Sequence, residues 1–172
     1  MNYRIIGSSS GIGQAILFHM GKRGHMRCAA GEADVLVFAA GHDYGACVDL
    51  LIECAEAKLA RAYVVVTSEH GALPVGMNYV RYAAMKAAQK MVCRTLAHSG
   101  IPCVDVSPAF VMDSGKDKRV NRDEAYWEEI RAEMRGKPPV LSDDVARAVV
   151  FAAENVGKIT GTTISVSAGW RV

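Results

Sequence analysis

The sequence predicts an α/β domain, a parallel sheet flanked by helices. Three observations carry the prediction. Apolar runs of strand length alternate with longer segments of helical period, as βαβ units require. The first run leads into the glycine-rich stretch Gly7-Ser8-Ser9-Ser10-Gly11-Ile12-Gly13, which opens a helical segment. Just over half of the 172 residues are apolar, enough for a sizeable core without disulfides or metals.

Taken in order, a first strand covers Tyr3 to Ile6. From Ile12 the apolar residues Ile12, Ala15, Ile16 and Met20 recur at helical spacing, and Gly24 is a plausible stop. Val35 to Phe38 is a continuous buried-strand run, closed by Ala39-Ala40-Gly41. A helix from about Cys47 to Leu59 follows, then the β-branched strand Tyr63 to Thr67. Tyr82 to His98 is helical by period, and Pro102 to Val106 reads as a strand ending at Pro108. Residues 114–139 are charged and irregular, with a short helix expected from Glu124 to Met134. Ser142 is expected to cap a last helix, whose Asp143 and Asp144 suit its positive end. Ile164 to Val166 is the final strand. With no repeat, low-complexity tract or linker, residues 1–172 read as one domain.

Composition narrows the function classes. Net charge is +2 and no Lys or Arg run stands out, so nothing calls for nucleic acid or an anionic membrane. Five scattered cysteines (Cys28, Cys47, Cys54, Cys93, Cys103), never spaced as CxxC, suit reduced thiols in a cytoplasm and no metal site. Met1 runs straight into a strand, so no signal peptide is expected, and no stretch nears the ~20 apolar residues of a membrane span. A soluble cytoplasmic protein is the expectation.

Two patterns carry chemistry. Gly7 and Gly11 permit a tight turn and close approach of backbone to a pyrophosphate, while Gly13 lets the helix pack closely. Their spacing, GxxxGxG, departs from G-x-G-x-x-G, and glycine also suits any strand-to-helix turn. Tyr82 and Lys86, four apart, share one helix face, where an ammonium favours the phenolate and makes the phenol usable for proton transfer. Ser68, at the end of a strand, can hydrogen-bond a substrate oxygen at the sheet's carboxyl edge. Each pattern also has a plain reading, a chance YxxxK with a solvated lysine. His70 and His42 could face the site's mouth or be solvated loop residues. Arg23 and Arg27 are expected to be surface charges, although Arg27 could meet a 2′-phosphate.

Together and in order, GSSSGIG at 7–13, VFAAG at 37–41, VVVTSEHG at 64–71, YAAMK at 82–86, SPAFV at 107–111 and ITGTTISVSAGW at 159–170 closely resemble the short-chain dehydrogenase/reductase family. The resemblance implies a Rossmann-like fold, NAD or NADP as cofactor, and hydride transfer between nicotinamide and a carbonyl or alcohol. It assigns substrate orientation to Ser68, acid/base work to Tyr82, and pKa lowering with ribose binding to Lys86. It places the cofactor on Gly7, Ser9, Ser10, Gly11, Ile12, Gly13, Ala39, Ala40, Gly41, Tyr82, Lys86, Pro108, Ala109 and Val111. Met77, Asn78, Tyr79 and residues 112–137 take the positions of the substrate wall and lid. Ala83, Ala84, Ala87 and Ala88 form a small-residue face for subunit contact or for internal packing, and a homodimer or homotetramer is implied.

The chain also departs from the family. Where the family places two more strands and two more helices, only about ten residues remain, His25 to Asp34, too few for a βαβ crossover. The fold is therefore expected to be reduced in strand number on the adenosine-binding side. Asn-Ala-Gly becomes Ala39-Ala40-Gly41, the tetrad asparagine lacks a counterpart in 47–59, Pro-Gly becomes Pro108-Ala109, and the nicotinamide-binding threonine is replaced near Asp113. These losses keep open a cofactor-independent lyase, isomerase or dehydratase using Tyr82, Ser68 and Lys86, with Asp113 as a second acid/base. A non-catalytic nucleotide sensor is a third reading, disfavoured by the intact trio.

Overall fold

The computed structural model describes residues 1–9, 11–29, 33–40, 46–72, 77–114 and 124–169. Its elements, in chain order, are β1 (Asn2–Ile6), α1 (Ile12–Lys22), β2 (Met26–Arg27), β3 (Ala33–Phe38), α2 (Ala46–Glu56), β4 (Ala60–Val66), α3 (Val80–His98), β5 (Cys103–Pro108), α4 (Glu124–Met134), α5 (Ser142–Asn155) and β6 (Thr163–Val166). The strands make one parallel sheet in the order β2-β1-β3-β4-β5-β6. The chain winds one way from β1 to β2, then the other way from β3 onward. The direction of winding therefore changes between β1 and β3, where such sheets leave a crevice at their carboxyl edge.

Alternation along the strands sorts the core into two layers. Tyr3, Ile5, Val35, Val37, Ala62, Val64, Val66, Val104 and Val106 face α1 and α5, packing on Ile16, Met20, Val145 and Val149. Leu36, Phe38, Tyr63, Val65 and Cys103 face α2 and α3, packing on Leu51, Cys54, Met85 and Cys93. Nearly all of β3 and β4 is buried, because helices cover both faces.

Helix ends follow local hydrogen-bond rules. After α1, Gly24 adopts φ 71°, with His25 N–H on Met20 O and Gly24 N–H on Gly21 O, a left-handed cap. After α2 the same bonds run from Leu59 to Cys54 O and from Lys58 to Ala55 O. There Lys58 takes the left-handed position at φ 50°, so the helix stops at Glu56, short of the expected Leu59. Ser142 does not cap α5. The preceding Leu141 donates its N–H to the Asp144 carboxylate at 2.9 Å, and the Ser142 N–H goes to Asp113 at 2.6 Å.

A strand does form within His25 to Asp34: Met26 and Arg27 pair with Asn2 and Tyr3. The return from β2 to β3 then takes only residues 28–32. Among the described residues no helix is long and apolar enough to cross a membrane.

Candidate active site

The glycine turn lies at the point where the winding changes. Gly7 has φ 91°, and a Cβ there would lie 2.7 Å from the Ala39–Ala40 peptide at the end of β3. A Cβ on Gly13 would overlap the Gly7 carbonyl, and one on Gly11, at φ 52°, would overlap the Ser114 carbonyl. All three glycines are thus required by close backbone approach, and Gly13 packs against its own turn rather than against the sheet. The N-cap of α1, Gly11, has no side-chain hydrogen bond, and the first turn holds no acidic residue. Its positive end therefore faces the crevice uncompensated by any carboxylate of that turn, which fits a diphosphate. Ala39 ends β3 alongside this turn, its N–H on Ile6 O. Pro108 and Ala109 end β5 on the same edge, and Val111 is buried in the α1/α5 layer and bridged to Val140. Ser10, Gly41 and His42 lie outside the described residues.

Ser68 follows β4 and caps a single 3-10 turn, Glu69–Gly71, by accepting the His70 N–H at 3.3 Å. Gly71 closes this turn onto α3: a Cβ there would lie 2.8 Å from the Lys86 carbonyl carbon. That contact seats Ser68 against the helix carrying Tyr82 and Lys86, and it explains why a glycine follows the serine by three. Lys86 is buried, its Nζ 5.9 Å from the Tyr82 ring centroid. The ammonium donates to Val66 O, the last carbonyl of β4, and to Gln89 Oε1, both at 3.0 Å. Tyr82 is half-buried, and His70 meets it edge-on at 6.1 Å while stacking on Tyr79 at 5.8 Å. His70 thus packs against the site rather than standing in a solvated loop.

Sequence reasoning missed the polar layer beneath the trio. The sheet-facing side of α3 carries Lys86, Gln89, Lys90 and Cys93, all buried. Lys90 donates to Asp105 at 2.9 Å and to Ser107 at 2.7 Å. Thr67 bonds the other Asp105 oxygen, and Thr163 reaches Asp105 from β6 at 3.0 Å. The network joins α3, β4, β5 and β6 directly behind Ser68, and a buried ion pair is tolerated only with such added hydrogen bonds. Gln89 is fully buried and its Nε2 has no partner among the described residues. Leaving that donor unpaired costs about 1–3 kcal/mol. Two signals were available: polar residues at 86, 89 and 90 on a buried helix face, and the alternation of Val104 and Val106 with Asp105 and Ser107. Deeper in this layer, the Cys93 thiol is pushed far up by its hydrogen bond with Cys103 and by burial.

Other candidates fall away from the site. The carboxylate of Asp113 holds the first N–H of α5, a capping role rather than a second acid/base. Arg23 pairs with Glu154 at 3.2 Å, and Arg27 is exposed at the end of β2. Ala84 and Ala87 are exposed and Ala83 and Ala88 half-buried, so this face of α3 turns away from the sheet. On the lid side, Trp127 of α4 packs edge-on against Phe110 and Tyr126. Among the described residues no group of three His, Cys, Asp or Glu can hold a metal ion.

Comparison with known proteins bears on this geometry. Residues 44–171 match the family model described as Enoyl-(Acyl carrier protein) reductase. A search of curated proteins by sequence found no match. Among solved structures, one described as a small-chain dehydrogenase in complex with NADPH aligns with TM-score 0.81 and 19% identity, covering 98% of this chain and 97% of that one. A short chain dehydrogenase/reductase family oxidoreductase from Burkholderia thailandensis gives 0.76 and 20%, covering 99% and 92%. The 3-alpha-hydroxysteroid dehydrogenase of Pseudomonas sp. B-0831, complexed with NADH, gives 0.75 and 19%, covering 98% and 97%. At these identities the structural likeness speaks to the fold.

Proposed function

This chain belongs to the short-chain dehydrogenase/reductase family, and from that premise we propose that it is an NAD(P)-dependent oxidoreductase acting on a small-molecule carbonyl or alcohol. The observation that carries the reading is the seating of Ser68 against the Tyr82–Lys86 face of α3, with Gly71 packed on the Lys86 backbone. When bound, the nicotinamide dinucleotide supplies or takes up the hydride. The glycine turn with the N-terminus of α1 would hold its diphosphate, Ala39 and Ala40 would flank it, and Pro108, Ala109, Tyr82 and Lys86 would hold the nicotinamide half.

This chain's own residues would then manage the proton. Ser68 Oγ already accepts the His70 N–H, so its hydroxyl hydrogen turns away from the capped turn to donate to the substrate oxygen. In reduction the Tyr82 hydroxyl gives its proton to that oxygen, and in oxidation the phenolate takes it back. The Lys86 ammonium, fixed beneath the ring, favours the phenolate by its charge. The exposed Ala84 and Ala87 offer a flat face on α3 for a second copy in a homodimer or homotetramer.

Titration with NADH and NADPH, followed by nicotinamide fluorescence, tests the reading. Micromolar binding of one or both is expected. Tyr82→Phe should keep that affinity while lowering turnover by about 10²–10⁴-fold. No binding at millimolar dinucleotide, with Tyr82-dependent turnover in dinucleotide-free buffer, would replace the hydride reading with lyase, isomerase or dehydratase chemistry on the same trio.

A further inference from the structure

We propose that Gln89 is a positioning residue that holds the Lys86 ammonium beneath Tyr82; this rests on the proton-transfer reading above. Lys86 and Gln89 are three apart on α3 and so share a face. Both are buried, Gln89 completely. The Lys86 Nζ lies 3.0 Å from Gln89 Oε1 and 3.0 Å from Val66 O. A lysine ammonium has only donors, so the amide must present its oxygen to Lys86. That orientation leaves Gln89 Nε2 buried and unpartnered among the described residues. A side chain placed for packing alone would carry no such orphan, and an apolar residue would fill the same volume without it. The adjacent buried lysine does not compete for the amide, since Lys90 bonds Asp105 and Ser107.

The choice of an amide over a carboxylate has its own electrostatic reason. A carboxylate at position 89 would hold the ammonium equally well but cancel its field at the Tyr82 ring, 5.9 Å from Nζ. The neutral carboxamide holds the cation in place and leaves its charge to act on the phenol. Val66, whose carbonyl also accepts from Lys86, lies two residues before Ser68. The ammonium therefore ties the Tyr82 helix to the strand that leads into Ser68.

The test uses the intact protein without added dinucleotide. It follows the ¹⁵Nζ signal of Lys86 and the ¹³C titration of Tyr82, assigned through Lys86→Arg and Tyr82→Phe. Gln89→Met should fold, lose the slowly exchanging Lys86 ammonium signal, and ionise Tyr82 at a pH higher by about one unit, roughly tenfold less phenolate at a given pH. Gln89→Glu should keep the Lys86 signal yet raise the Tyr82 ionisation as well, a split that loss of packing would not produce. A folded Gln89→Met in which either signal matches the parent overturns the proposal. If Tyr82 of the parent ionises at the ordinary tyrosine value, about 10, the acid/base reading fails. The Gln89 proposal then stands or falls on the Lys86 signal alone.

Discussion

At the residue scale, several side chains do work that their type alone does not announce. Asp113 and Asp144 accept backbone N–H groups at the start of α5, and Ser142, whose type suits a cap, leaves its Oγ buried and without a partner among the described residues. Asp143 in the same turn is held below the ordinary carboxylate value chiefly by its hydrogen bond with His19 of α1, with Arg147 and Lys22 adding to the effect. A carboxyl depressed in the folded state contributes stability that is present above its unfolded value, 3.8, and is lost as pH falls through the folded value. Asp143→Asn should therefore be less stable than the parent to urea at pH 6, and the gap should close as the medium is taken well below pH 3.8. An unchanged gap across that range would mean the α1–α5 contact owes nothing to the carboxylate's charge.

At the scale of elements, α3 is the piece on which the site is built. Its helical period was evident from sequence, but its buried face is unusually polar, with Lys86, Gln89 and Lys90 in succession against β4 and β5. The pattern of β5 completes it: Val104 and Val106 enter the apolar layer while Asp105 and Ser107 meet Lys90. Breaking such a pair from one side strands a buried charge. Lys90→Met alone should cost about 3–5 kcal/mol of unfolding free energy, and adding Asp105→Leu should recover much of it. Denaturant unfolding of the two variants and the parent checks this. If the double variant is no more stable than Lys90→Met, Asp105 is not the charge that Lys90 neutralises.

At the scale of the whole molecule, the sheet keeps its change of winding while losing height on one flank. The last paired residue of β2, Arg27, stands level with Tyr3, three residues before β1 ends at Ile6. At about 3.3 Å per residue, β2 stops roughly 10 Å below the carboxyl edge that holds the glycine turn. Among the described residues the flank proposed to face the adenosine is correspondingly low, whereas β4 and β5, proposed to carry the nicotinamide side, continue to that edge. Binding should thus depend on the diphosphate and nicotinamide half. Reduced nicotinamide mononucleotide should compete with the full dinucleotide far better than AMP does, measured by displacement of bound NADPH or NADH. Stronger competition by AMP would place the missing adenosine contacts in residues outside those described, or in a second copy.

The pattern of the chain alone pointed to the class of fold, the order of every strand and helix but β2, and the glycine turn, whereas the candidate set Ser68, Tyr82 and Lys86 came from the resemblance of ordered motifs to a known family. The elements rest on local rules, apolar period and helix-stopping glycine, while spacing alone says only that Tyr82 and Lys86 share one helix face. Boundaries slipped where a cap was chosen by geometry, as at Lys58 and Leu141. Only the tertiary structure decided which polar groups meet: Gln89 on Lys86 within α3 and, across elements, Lys90 on Asp105, Asp113 on the start of α5, and His70 against Tyr82. Apart from Gln89 and Lys86, these partners lie 12 to 29 residues apart in the chain, and no periodicity joins them. Their pairing follows from strand order and from the requirement that buried polar groups find partners. The short β2 belongs to the same class, because two residues carry too little pattern to announce a strand until an edge is there to receive them.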